Sequence, residues 1–119
     1  MEFLKSEIAR IANTARWSWQ GWTAAWATEK SLRQWTLVNV ISALMAVLLD
    51  LTGGERALIL ALGLLILAAE LLNTALEETV DYISGDHNPN AGKIKDCGSA
   101  VVAVTAIAGG TAWLAVLVG

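Results

Sequence analysis

Glu70, Asn73, Glu77 and Asp81 are the residues of this chain whose types and spacing best suit a shared chemistry. At about 100° per residue they fall within roughly 80° of one another on a helix. Leu72, Leu76 and Ile83 take the opposite side. The run closes a strongly apolar segment, because residues 57–69 carry no charge. A carboxylate in such a place is costly unless it pairs, binds a cation or takes part in a reaction. The run is therefore a candidate functional site. Its chemistry would be that of carboxylate and amide oxygens: holding a hard cation and accepting a proton.

The elements that must position these groups follow from composition and periodicity. A chain of 119 residues suits one domain. It is 55% hydrophobic and only 16% charged, against about 25% charged in soluble domains, which points to a membrane protein. The net charge of -3 carries no nucleic-acid signature. The single cysteine, Cys97, excludes an intrachain disulfide. Residues 1–7 lack a basic start followed by an apolar core, so no secretory signal is expected. A lone proline, Pro89, favours helix throughout.

Residues 3–27 are amphipathic, with Leu4, Ile8, Ile11, Ala15, Trp19, Trp22 and Trp26 recurring at three or four. Tryptophan favours the water–lipid boundary and basic residues favour anionic headgroups, so this segment reads as a helix on the membrane surface. The alternative is a core helix of a soluble bundle. Spans are expected over about 29–49, 55–83 and 93–118, and residues 97–118 carry no charge at all. Thr28 is expected to cap the first span. Gly53-Gly54 reads as a tight turn, and 84–92 as a loop rich in turn formers. The fold class is an all-α membrane protein, a surface helix plus three spans.

Lys5, Arg10, Arg16, Lys30 and Arg33 precede the first span, and Lys93 and Lys95 lie in the second connection. The positive-inside rule then places the N-terminus and that connection in the cytoplasm, and the glycine turn and C-terminus outside. Glu29, Glu77, Lys95 and Asp96 gather at the cytoplasmic interface, with Glu70 about 10 Å deeper. Mg²⁺ is commonly held by one or two carboxylates plus phosphate oxygens, which Glu29 and Glu77 suit. Lys95 and Arg10 would neutralise phosphate. Glu70 would take the proton of a hydroxyl arriving laterally from the bilayer. This assembly fits phosphoryl transfer from a soluble nucleotide to a lipid alcohol, although neither a GxxxxGK[ST] loop nor an HRD/DFG pattern is present. A non-enzymatic proton or cation pathway around Glu70 is the alternative of another class.

The block Glu70-x-x-Asn73-Thr74-Ala75-x-Glu77-x-x-x-Asp81, followed by Lys95-Asp96-x-Gly98-Ser99-Ala100, resembles the small prokaryotic diacylglycerol kinase family. Ala24-Ala25-Trp26-x-x-Glu29-x-x-x-Arg33-Gln34 matches it as well, so the resemblance runs from Arg10 to the last span. It implies a homotrimer in the bacterial inner membrane with active sites shared between subunits, moving the γ-phosphoryl group of Mg-ATP to diacylglycerol to give phosphatidic acid. It further implies Glu70 as catalytic base, Asn73 as an orienting group, and Glu29 and Glu77 as metal ligands. Arg10, Trp17, Glu29, Glu77, Asp86, His87, Asn88, Lys95 and Asp96 would meet the nucleotide. Arg10, Ser18, Trp19, Ser31, Trp35, Arg56, Glu70, Ser99 and Trp113 would meet the lipid. Trp17 stands where the family pattern has tyrosine, and Trp35 replaces an acidic residue. An undecaprenol kinase of the same fold is the nearest alternative, and Gly98-Ser99-Ala100 leans toward diacylglycerol.

Overall fold

The structure, a computed structural model, describes residues 1–83, 85 and 88–119. The described residues form four helices and no strand: α1 (Glu2–Thr28), α2 (Lys30–Leu48), α3 (Gly53–Ile83) and α4 (Pro89–Val118). Backbone groups in hydrocarbon must be satisfied without water, and an α-helix does so within its own segment. Helices α2, α3 and α4 are each long and apolar enough to cross a bilayer. At 31 residues α3 is about 46 Å long, which exceeds a hydrocarbon core of about 30 Å. Its ends must therefore reach into the interfaces, and its carboxylates lie toward one of those ends.

The apolar stripe of α1 has no protein cover. Leu4, Ile8, Ile11 and Trp19 are all more than half exposed, and Ala25 is the helix's one buried residue. This excludes a core helix of a soluble bundle, whose stripe would be packed, and leaves the stripe for the lipid boundary. Only the C-terminal part of α1 engages the rest of the chain, near the stacked Trp22 and Trp26 rings, whose centroids are 5.9 Å apart.

The connections are resolved by capping. Thr28 does not cap α2. It is the last residue of α1, and its Oγ1 donates back to the Ala24 carbonyl at 3.3 Å. The break falls on Glu29, whose extended backbone (φ -105°, ψ 102°) ends one helix and starts the next. Gly53 and Gly54 do not form the turn expected of them, because α3 already begins at Gly53. Thr52 Oγ1 accepts from the Glu55 amide at 3.1 Å, and Glu55 Oε1 accepts from the Thr52 amide at 2.8 Å. This reciprocal box satisfies two donors that a helix start otherwise leaves orphaned. Helix α4 begins at Pro89, inside the segment expected to be loop and four residues before Lys93. Asn88 caps it by accepting from the Asn90 amide at 2.8 Å, and proline suits the first helical position because it lacks a donor there.

Helix α3 is central. It packs most extensively on α4 and next on α2. Away from the carboxylates, Ala46, Ile59 and Ala112 are buried together beneath Leu51, Leu62, Trp113 and Val116. Arg56 closes this end, its Nε donating to the Ala46 carbonyl at 2.8 Å and its Nη2 to the Leu49 carbonyl at 3.4 Å. Replacing Thr52 with Ala is expected to cost about 1 kcal/mol of stability, while Thr52→Ser keeps most of it. Unfolding in mixed micelles followed by circular dichroism measures both.

Candidate active site

Glu70 is the one buried charged side chain among the described residues, at 5% exposure. Its place on α3 follows from the helical period: Ile59, Gly63 and Ile66 precede it at three- or four-residue intervals, and all are buried. The carboxylate therefore lies in the inward-facing row. Among the described residues no side chain hydrogen-bonds to it; its backbone carbonyl accepts from Thr74 Oγ1 at 3.0 Å. Among the described residues, the ion pair that would make Glu70 a structural residue is not formed. Glu77 and Glu29 both lie within electrostatic reach of it, Glu77 from the following turns of α3 and Glu29 from the α1–α2 break.

Asn73 joins the group from the same face. Its Nδ2 donates to Glu77 Oε1 at 3.2 Å, which restrains one metal-candidate oxygen. Its Oδ1 is buried with no partner among the described residues. Helix α4 meets Asn73 at Gly98, where a Cβ would collide with Asn73 Oδ1 and lie 3.3 Å from Leu76 Cδ1. Glycine is needed here for close approach rather than for backbone conformation. An unpaired buried amide oxygen costs about 1–3 kcal/mol. Beside Glu77, and on the helix face that carries Glu70, it is a ready acceptor for a group that enters the site.

Lys95 reaches from α4 to α3, its Nζ donating to Asp81 Oδ1 at 2.7 Å, with the Glu77 charge also acting on it. The pair is partly exposed, so its contribution to stability is small. It holds a cation at the same end of the bundle as the carboxylates. Asp96 is exposed beside it. The donor set fits a magnesium ion presented with a polyphosphate. Among the described residues no group of three or more ligands forms a metal cage. Two carboxylates with room for phosphate oxygens are what Mg²⁺ commonly uses.

The other sequence-predicted residues are more dispersed. Asp86 and His87 lie outside the described residues. Asn88 is engaged in capping α4. Arg10 pairs with Glu7 on its own helix at 2.7 Å, and Trp17 and Trp19 are exposed on α1. Ser18 lines an open cleft between α1 and α3 with Trp22, Thr74 and Glu78. Ser31 and Ser99 are exposed. Trp35 and Trp113 share a cavity of about 230 Å³ with Asn39, Ser42 and Gly63, between α2, α3 and α4. Arg56 is about 21 Å from Glu70 along α3, at the opposite end of the bundle. Sequence reasoning noted Arg33 for topology and family pattern but not its partner: its guanidinium donates from α2 to the Trp26 carbonyl at the end of α1. The signal was an arginine four residues after the break at Glu29.

Fold and site together define a small integral membrane protein with carboxylates and a buried amide gathered toward one end of a three-span bundle. The model of the prokaryotic diacylglycerol kinase family matches residues 16–117. The diacylglycerol kinase of Pseudomonas aeruginosa is 43% identical over 114 residues, covering 94% of this chain and 91% of that protein. That of Escherichia coli K12 is 33% identical over 110 residues, covering 92% and 90%. The chain belongs to the prokaryotic diacylglycerol kinase family.

Gly98→Ala is expected to push Asn73 off its seat and lower catalytic turnover at least tenfold, with about 1–3 kcal/mol lost from packing. Gly110→Ala, which places its methyl in open space, is the matched control and is expected to retain activity.

Proposed function

We propose that this protein is an ATP-dependent lipid kinase that phosphorylates the primary hydroxyl of diacylglycerol, giving phosphatidic acid. The observation that carries this reading is the buried Glu70 carboxylate, without a side-chain partner among the described residues, within electrostatic reach of Glu29 and of the Glu77 that Asn73 holds. Family membership and relatives named diacylglycerol kinase supply the substrate class.

Glu70 accepts the proton of the lipid hydroxyl as that oxygen bonds to the γ-phosphorus. The bond from the γ-phosphorus to the β–γ bridging oxygen breaks, and ADP leaves. Glu29 and Glu77 would hold Mg²⁺, which when bound supplies neutralisation of the charge on the transferring phosphoryl group. Asn73 restrains Glu77 and offers its free Oδ1 to the incoming hydroxyl or a bridging water. Lys95 adds positive charge on the nucleotide side, with Arg10, Trp17, Asp86, His87, Asn88 and Asp96 as further nucleotide contacts. Ser18, Trp19, Ser31, Trp35, Arg56, Ser99 and Trp113 are proposed to meet the lipid. The chain is read as one membrane domain, assembled as a homotrimer in the bacterial inner membrane, with the N-terminus cytoplasmic and the C-terminus outside. The distribution of Lys and Arg supports that orientation.

The decisive experiment follows radiolabelled γ-phosphate from ATP into lipid by purified protein in bilayers, with diacylglycerol and undecaprenol as separate acceptors. Diacylglycerol is expected to be the faster; faster turnover of undecaprenol would replace it as the substrate. Glu70→Gln is expected to fold normally and lose about 10²–10⁴ in kcat. Near-full activity in that variant would refute the base assignment. Glu29→Ala and Glu77→Ala are each expected to raise the Mg²⁺ needed for half-maximal activity or abolish turnover.

A further inference from the structure

Glu29 stands at the start of α2, yet little in α2 fixes where that start must be. Leu32 and Ala46 are its only buried residues, and Leu37, Val40, Ile41, Leu44, Val47 and Leu48 face outward. In a bilayer an apolar side chain gains almost nothing by leaving acyl chains for another helix. Apolar packing alone therefore leaves the rotation and height of α2 weakly specified.

Two polar side chains interrupt its apolar run, Asn39 and Ser42, three residues apart and so on one face. Both are engaged between helices. Asn39 Nδ2 donates to the Gly63 carbonyl of α3 at 2.8 Å and to the Trp35 carbonyl of its own helix at 3.3 Å. Gly63 is buried, and a Cβ there would run into Asn39 Oδ1 and lie 3.2 Å from its Cγ. The glycine is the seat of the amide. Ser42 Oγ accepts from Trp113 Nε1 of α4 at 2.8 Å. Helix α2 is thus tied to α3 through Asn39 and, near its C-terminal end, through Arg56 on the Ala46 carbonyl, and to α4 through Ser42. It cannot turn or slide without leaving polar groups unpaired in apolar surroundings.

Glu29 lies ten residues from Asn39, about 15 Å along the axis. A slip of α2 by one residue would turn it by about 100° and carry Glu29 away from the α3 carboxylates. We propose that Asn39, seated on Gly63 and seconded by the Ser42–Trp113 bond, is a positioning residue that sets Glu29 against Glu70 and Glu77. Its amide is spent on two backbone carbonyls, and it acts through Glu29. The inference rests on the metal role proposed for Glu29, and the test separates the two.

Asn39→Leu keeps the number and branching of side-chain heavy atoms and removes the amide. Binding of Mn²⁺ in the presence of a non-hydrolysable ATP analogue, read by electron paramagnetic resonance, is expected to weaken about tenfold. The Mg²⁺ needed for half-maximal phosphorylation rises by the same factor, while kcat at saturating Mg²⁺ changes by less than about threefold. Ser42→Ala gives a smaller shift in the same direction. Spin labels at Thr28 and Thr79, in a Cys97→Ser background diluted with unlabelled protein, report the position of Glu29 without reference to metal. Asn39→Leu is expected to broaden or shift that distance distribution. An Asn39→Leu protein with a lowered Tm but unaltered Mn²⁺ affinity and distances would overturn the proposal. Should that variant not fold, the same two readouts on Ser42→Ala decide. Unchanged Mn²⁺ binding in Glu29→Ala would remove the metal role of Glu29, and the label distances would still judge the positioning of α2.

Discussion

The bundle depends on amide side chains seated over glycines. Lipid as a solvent removes the hydrophobic reason for one helix to prefer another, so specific pairing must come from close approach and polar bonds. Helix α3 supplies both to its neighbours. At Gly98 of α4 the absence of a Cβ admits Asn73, and at Gly63 of α3 the absence of a Cβ admits Asn39 from α2. The two contacts are reciprocal in sense. In one α3 brings the amide and in the other the glycine, so the central helix registers α4 and α2 independently. Remaining freedom is taken up by hydrogen bonds that cross between helices, Ser42 to Trp113 and Asp81 to Lys95.

That registration makes an ionisable residue tolerable at Glu70. A charged group at the centre of a spanning helix costs about 2.5–3.5 kcal/mol. Glu70 avoids the full cost because α3 is longer than the hydrocarbon is thick and its polar face continues through Asn73 and Glu77 toward the interface. The face is one of graded depth. Glu77 is half-buried and held by Asn73, whereas Glu70 is almost enclosed and unheld. A restrained, wetter carboxylate suits a cation, and a free, drier one suits a proton. The chemistry is divided by position along a single helix, without a change of residue type.

The periodicity of apolar residues was enough to read four helices, the exposed stripe of α1 and the common face of Glu70, Asn73 and Glu77. These depend on one helix at a time, and a 3.6-residue period is visible in a linear string. What escaped the reading depends on which group a donor meets. Beside the ligand roles expected of them, Lys95 pairs with Asp81, Arg56 closes the end of α2 and Asn88 caps α4, and none of these partners was foreseen. In each case the residue type states what can be donated or accepted and leaves the partner open. The Thr52–Glu55 box was legible, since Thr-x-x-Glu before an apolar run is a helix-start pattern, and the adjacent glycines drew attention from it. Asn39 and Ser42 were visible as polar interruptions. Their meaning required Gly63 and Trp113, distant in sequence.

Glu29 is where these constraints converge. It belongs to neither helix it joins, and its extended backbone lets α1 leave at an angle from the spans. Its own amide bonds to the Ala25 carbonyl at 2.7 Å, while Arg33 reaches back to Trp26, so the bend is tied from both sides. A side chain at such a bend takes its position from two independent sources: the seating of α1 in the lipid boundary and the register of α2 against α3. Glu70 and Glu77, within one helix, can move relative to each other only if that helix distorts. Of the three carboxylates, Glu29 is the one whose geometry the rest of the fold must actively hold. This gives the polar bonds of α2 a consequence beyond stability, because the precision of the third carboxylate is set by contacts about 15 Å away from it.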